Sequence, residues 1–247
     1  MSPILTVVIA AKDPPLHYLR LCLSSFGRLR AATKIQIVII AAGEVPPIDR
    51  DLAACFESLT IEHKPPQGVY AAYNHGISYA AAPYVCFFGV DDIALPGMDQ
   101  LLNEIEKTVA NPAVLVAARS YMQDIGISRP TQWRPGILFK NWCHQGLIYS
   151  RDYLRYNQYD VEYFAQADHL VNIGILANRS HEVLFFSEVV AYFSSGGVSQ
   201  IHHDFKFRKA LPRIADATFG RHYGYLVKIK QLLANFFKGK PHGVRRR

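Results

Sequence analysis

An α/β fold, with a mostly parallel sheet flanked by helices, is predicted by short β-branched runs, apolar rows at helical spacing between them, and turn clusters where the runs end. Residues 4–10 are such a run, closed by Ala11-Lys12-Asp13-Pro14-Pro15, and predict a buried first strand. Leu16, Leu19, Leu23 and Phe26 follow at helical spacing, behind two prolines placed to start a helix. Residues 35–40 complete strand, helix, strand, an alternation that favours parallel pairing because a parallel connection needs a crossover.

Residues 74–82 are rich in small side chains and stop at Pro83, as expected of a helix lying close on a sheet. The apolar run 84–90 predicts another buried strand, which leads directly into Asp91 and Asp92. Pro96 opens a helix with Met98, Leu101, Leu102, Ile105 and Val109 on one face. The acid pair therefore falls at the carboxyl end of a central strand, where open α/β sheets bind ligands. Beyond Ala118 the periodicity weakens, so 119–145 reads as a loop-rich region. Helical spacing returns over 163–176, before a strand-like stretch at 183–193 and a glycine turn at Gly196-Gly197.

The 247 residues suffice for one substantial core, and half of them are hydrophobic against 19% charged, which excludes a disordered or fibrous chain. No run approaches the ~18 apolar residues of a membrane span, and the opening lacks a secretory pattern, so a cytoplasmic protein is expected. Cys22, Cys55, Cys86 and Cys143 are too scattered for a zinc or disulfide framework. The net charge of +7 is uneven: twelve Lys and Arg face one acid over residues 205–247, leaving the remainder net acidic. We divide the chain into a main domain, 1–215, and a basic amphipathic segment, 216–247. In the latter Leu226, Ile229, Leu233, Phe236 and Phe237 share a helical face, the pattern of a helix lying peripherally on an anionic membrane. The alternative is a helix docked on the domain. No base-reading module accompanies the charge, so nucleic acid is not an expected partner.

A strand-end Asp pair suits a hard divalent cation bridging a diphosphate, yet it also suits a solvated turn or a helix N-cap. Wider context bears on that choice. Gly68-Val69-Tyr70-Ala71-Ala72-Tyr73-Asn74-His75-Gly76-Ile77, then 81–92 with its closing Val90-Asp91-Asp92, and Leu95-Pro96-Gly97 resemble the donor half of family 2 glycosyltransferases. Cys143-His144-Gln145, Ala165-Gln166-Ala167-Asp168-His169 and Ser195-Gly196-Gly197-Val198-Ser199 are similar to that family's His-Gln element, catalytic-Asp segment and glycine turn, in the same order.

The resemblance, which covers about residues 4–215, implies a GT-A fold and an inverting sugar transferase. Its donor is a nucleotide sugar and its acceptor a glycan or lipid-linked hydroxyl, in polysaccharide or lipopolysaccharide assembly. It implies Asp168 as catalytic base, Asp92 as ligand of Mn²⁺ or Mg²⁺, and Ala10, Lys12, Tyr70, Asn74 and Asp91 on the donor side. His144, Gln145 and Gly197 then fall on the acceptor side or behind it, and the loop-rich 119–145 becomes the acceptor region. Ala41-Ala42 and Ala71 stand where many relatives carry acids. A nucleotidyltransferase and a non-catalytic nucleotide-sugar-binding domain are the competing readings; Asp168 and the glycine turn favour the sugar transferase over the first, and Asp92 with Asp168 over the second.

His202 and His203 are adjacent and read as ordinary loop histidines rather than metal ligands. Trp133 and Trp142 are either core aromatics or platforms for an acceptor.

Overall fold

The computed structural model describes residues 2–195 and 204–238, with side chains through 235. From β1 (Leu5–Lys12) the chain passes through α1 (Leu16–Gly27) to β2 (Ile35–Ala42), then α2 (Arg50–Ala53), β3 (Ser58–His63), α3 (Val69–Tyr79) and β4 (Tyr84–Gly89). It continues through β5 (Ile93–Ala94), α4 (Gly97–Glu106), β6 (Leu115–Met122), β7 (Gly126–Ser128), β8 (Leu147–Ser150) and α5 (Arg151–Tyr156). The last elements are α6 (Ala167–Ala177), β9 (Val183–Phe193), α7 (Phe205–Phe219) and α8 (Arg221–Lys238).

The sheet runs β3-β2-β1-β4-β8-β6-β9-β5, with β7 paired to β6. The first four strands are parallel. β8 is antiparallel to both its neighbours, and β9 runs parallel to β6 through register shifts between Ala117 and Ser120. The parallel architecture thus holds for the first half, while the second is mixed.

Strand alternation divides the core into two layers. Leu5, Val7 and Ile9 of β1, with Ile35, Ile37 and Ile39 of β2, share one layer with Leu19, Leu23 and Phe26 of α1 and with Met98, Leu101, Leu102 and Ile105 of α4. Val8, Val38 and Ile40 face the other layer, with Tyr73 and Ile77 of α3 and Val171 and Ile175 of α6. Leu16 begins α1 but is exposed, so it does not belong to the buried row. α3 approaches the sheet closely at Gly76, where a Cβ would stand 2.3 Å from Val8 Cγ1.

Several boundaries move for local reasons. α3 begins at Val69 rather than Asn74, behind Gly68 with φ of 94°. It ends before 82 because the amides of Ala81 and Ala82 donate to Gln36 Oε1 (2.8 Å) and Thr6 Oγ1 (3.2 Å) on the sheet. The helix expected over 163–176 starts at Ala167. The region expected to be loop-rich contains the end of β6 and all of β7, joined as a hairpin, before two 3-10 turns at Arg134–Leu138 and His144–Gly146.

The division expected after residue 215 falls inside α7, and α8 folds back on that helix. Pro212 lies within α7 and has no N–H for the carbonyl of Arg208 four residues earlier. Gln231 Nε2 of α8 donates to that carbonyl at 2.7 Å instead. Val227 is buried, whereas Leu226, Ile229 and Leu233 are exposed. The helix is therefore docked, as one reading had it, with the described part of the predicted apolar row facing outward. No described helix is long and apolar enough to cross a membrane.

Candidate active site

The carboxyl ends of β1 and β2 and the N-terminus of α3 enclose a cavity of about 320 Å³. Ala10, Lys12, Ala41, Ala42, Ala71 and Lys64 line it, so two cations and no carboxylate face its interior. Burial and the Lys64 charge hold His75 of the same wall below the usual histidine range. A second cavity, about 410 Å³, shares Val69 with the first and contains Asp91, Asp92, Tyr70, His144, Gln145 and Asp168. Five predicted residues from three stretches of sequence thus join Tyr70 in one space.

Asp92 is buried at the turn that ends β4. Its Oδ2 accepts from the Gly89 amide (2.7 Å) and from Gln145 Nε2 (2.7 Å), and its Oδ1 from the Ser194 amide (3.3 Å). Burial pushes its carboxyl up to about 7, the neighbouring Asp91 adds to the shift, and the three donors oppose it. Gly89 keeps the space beside the acid pair open, since a Cβ there would lie 2.8 Å from Asp91 Oδ1 and displace that side chain. Asp91 is half-buried and lines the cavity, while its carbonyl accepts from Ser194 Oγ at 2.9 Å.

Asp168 sits in the first turn of α6, where helix-start amides favour a carboxylate. Tyr70 donates to its Oδ1 at 2.5 Å and Asn141 Nδ2 to its Oδ2 at 2.7 Å. Asn141 is itself fixed, because its Oδ1 accepts from the Trp142 amide (2.9 Å) and from Asn172 Nδ2 (3.1 Å). Burial, and next the Asp168 charge, raise the Tyr70 phenol well above its ordinary range, so this hydroxyl keeps its proton and donates it. The pair holds the Asp168 carboxylate in one orientation, and each oxygen, with one described donor, keeps capacity for a further hydrogen bond.

His144 stacks on Phe87, with ring centroids 5.2 Å apart and planes at 16°, and its Nε2 meets the Tyr159 hydroxyl at 3.0 Å. Burial lowers its affinity for a proton, against the pull of Asp168. Gln145 reaches Asp92 and so stands behind the acid pair. Asn74 lines neither cavity; it donates to the Tyr159 carbonyl (2.8 Å) and accepts from the Tyr159 amide (2.9 Å), anchoring the segment that leads to α6. Trp142 is buried against Phe185, and Trp133 is exposed and stacked on Phe139. Gly197, the glycine turn around it, and His202-His203 lie outside the described residues.

Sequence reasoning missed Asn141, Tyr159 and Ser194. Asn141 stands two residues before Cys143-His144-Gln145, a proximity that could have drawn attention to it.

No group of three or more His, Cys, Asp or Glu is placed to hold a metal among the described residues. Asp91 and Asp92 do provide hard oxygen ligands in a cavity. Mg²⁺ and Mn²⁺ are commonly held by one or two carboxylates together with water and substrate phosphates, so the pair fits such a cation as a partial coordination set.

A strand-end acid pair, a clamped carboxylate across the cavity from it, and a half-parallel sheet define a GT-A type of transferase. The glycosyl transferase family 2 profile matches residues 6–171. A PGL/p-HBAD biosynthesis glycosyltransferase of Mycobacterium bovis is 30% identical over 210 residues, 77% of each chain. The S. aureus TarS structure superposes with a TM-score of 0.69 at 12% identity, over 93% of this chain but 43% of that one. TarS 1–349 in complex with UDP-GlcNAc gives 0.68 at 11% identity, over 91% of this chain and 70% of that one. The chain belongs to glycosyl transferase family 2.

Proposed function

We propose that this glycosyltransferase moves a sugar from a nucleotide-sugar donor to an acceptor hydroxyl with inversion, using Asp168 as base. The observation that carries the reading is the cavity holding Asp91 and Asp92 together with Asp168, whose two oxygens are held by Tyr70 and Asn141.

The nucleoside lies in the smaller cavity, whose Lys12 and Lys64 attract the negatively charged diphosphate attached to it. The diphosphate reaches past Val69 toward Asp91 and Asp92. Mn²⁺ or Mg²⁺ held there would offset charge on the departing diphosphate. Asp168 accepts the proton of the acceptor hydroxyl as its oxygen bonds to the anomeric carbon and the bond to the diphosphate breaks. Tyr70 and Asn141 keep the carboxylate aimed, which limits the reorganisation needed at that moment. Gln145 fixes Asp92, and His144 stays neutral on the cavity wall.

A glycan or lipid-linked acceptor in cell-surface assembly, a cytoplasmic site of action, and peripheral attachment through the basic C-terminal segment complete the reading. Support comes from the outward row Leu226, Ile229 and Leu233 and the local excess of Lys and Arg. The test is a panel of nucleotide sugars with purified protein, followed by thermal shift with and without Mn²⁺ and by product stereochemistry. A stabilising donor that is transferred with inversion supports it. Stabilisation by nucleotide sugar with no transfer to any hydroxyl would instead favour a binding domain.

A further inference from the structure

The two C-terminal helices meet at a left-handed glycine, Gly220 with φ of 105°, and cross closely at Gly224. A Cβ on Gly224 would stand 2.5 Å from the Pro212 carbonyl oxygen. Beside this crossing lies an open cleft of about 480 Å³, lined by Arg213 and Asp216 of α7 and by Arg221, Tyr225 and Lys228 of α8. Three cations surround one carboxylate, and none of the three is ion-paired with a described residue. The cleft is therefore net positive.

Its position on α8 gives that charge a direction. Taken at 100° per residue, Val227 and Tyr223 mark the side docked on the domain. Tyr225, Leu226, Ile229, Leu232 and Leu233 occupy the opposite side and are all exposed. Arg221 and Lys228 lie together on one flank of that apolar row. A helix lying in a membrane interface needs this combination: apolar side chains facing the acyl boundary and cations beside them at headgroup level. On the docked side, Lys230 Nζ donates to the carbonyl of Phe139. The next two residues, Lys140 and Asn141, line the catalytic cavity.

We infer that the cleft between α7 and α8 binds the phosphate of an anionic lipid headgroup through Arg213, Arg221 and Lys228, while the outward row of α8 enters the membrane interface. This inference rests on the membrane-attachment part of the proposed function and gives it a site. It also sets an orientation, because a chain seated this way holds the Lys140-Asn141 wall of the catalytic cavity close to the surface from which a lipid-linked acceptor would come.

The test uses the full chain and co-sedimentation with phosphatidylcholine vesicles, with or without phosphatidylglycerol. The parent binds the anionic vesicles. Arg213→Gln/Arg221→Gln/Lys228→Gln, checked for an unchanged melting temperature, loses affinity on the order of 100-fold. Arg28→Gln/Arg50→Gln/Lys107→Gln, which removes the same charge elsewhere, loses little. Ile229→Ser/Leu233→Ser, a second route that leaves the cations in place, also weakens binding. Equal losses in the two triple variants overturn the headgroup site and leave membrane attachment by general charge. Failure of the parent to bind anionic vesicles overturns the site and the attachment reading together. Inorganic phosphate that raises the parent's melting temperature, without vesicle binding, assigns the cleft to free phosphate and overturns the lipid. A dimer in light scattering that Ile229→Ser/Leu233→Ser dissolves assigns the row to a second copy and overturns it as well.

Discussion

The two halves of the sheet build the two cavities in different ways. From β1 to β4 the strands are parallel and the side chains of β1, β2 and β4 are mostly buried in one layer or the other, and the smaller cavity at their carboxyl ends is lined in good part by small residues: Ala10, Ala41, Ala42 and Ala71. From β6 to β9 the pairing is mixed and shifted in register, and the cavity wall carries polar side chains: Asn141, Asp168 and, behind them, Asn172 are hydrogen-bonded together, while Gln145 reaches Asp92. A cavity lined by small residues keeps its shape when one side chain changes, whereas a hydrogen-bonded wall loses alignment when any member is removed. Under the proposed function, substitutions on the wall formed by the mixed half should therefore depress turnover, and those at the acid pair should alter donor binding and stability.

The largest effect is expected at the base. Asp168→Asn should bind donor nearly as the parent does and transfer sugar at least ~100-fold more slowly. Single-turnover kinetics at saturating donor would check it, and a parental rate would move the base elsewhere. Next comes the clamp: Tyr70→Phe removes one charge-assisted hydrogen bond and should lower kcat by roughly 10-fold with little change in donor KM. Asn141→Ala should act in the same direction. A change confined to donor KM would assign Tyr70 to the donor half instead.

Asp92→Asn separates binding from stability. Calorimetry with and without Mn²⁺ should find the cation's contribution to donor affinity lost. Because burial raises the folded-state carboxyl to about 7, the folded chain holds a proton more tightly than the unfolded chain between the ordinary carboxylate range and that value. The stability of the metal-free parent therefore falls as pH rises through this window and levels off above it. The asparagine variant lacks that dependence and should melt several degrees higher than the metal-free parent at ~pH 8, with the gap closing toward ~pH 4. The smallest effect belongs to Trp133→Ala, which removes an exposed stacked pair and should cost about 1 kcal/mol or less in denaturant titration. A larger loss would mean that the mixed half depends on its surface aromatics more than the polar network implies.

The same contrast explains what could be read from sequence. β1, β2 and β4 announced themselves because they are buried on both faces and their apolar runs are nearly continuous, broken only by Thr6 in β1 and Gln36 in β2 before the strands end. β3 did not, since it is a half-buried edge strand with Ser58, Thr60 and Glu62 in its six residues. β8 has only four residues, and α7 hides behind an internal proline whose missing hydrogen bond is compensated from another helix. In the site, Asp91, Asp92 and Asp168 stood within recognisable motifs. The Tyr70 hydroxyl bond to Asp168 spans 98 positions, and the Asn141 bond to the same carboxylate spans 27. Contacts of that kind are created by topology, and no local pattern encodes them.

Gln145 is one of the points where the halves meet, because its amide leaves the second 3-10 turn and ends on the carboxylate that closes β4. Exchanging acceptor loops between relatives is an attractive way to redirect such enzymes, and this bond sets where the cut must fall. A graft that replaces residues 123–142 carries away Asn141 but leaves the support of Asp92 in place. One that extends through residue 145 imports a foreign partner for the buried acid. Swaps of the second kind should alter donor use even though the new sequence lies wholly on the acceptor side, so residue 145 and the acid at 92 have to be inherited together.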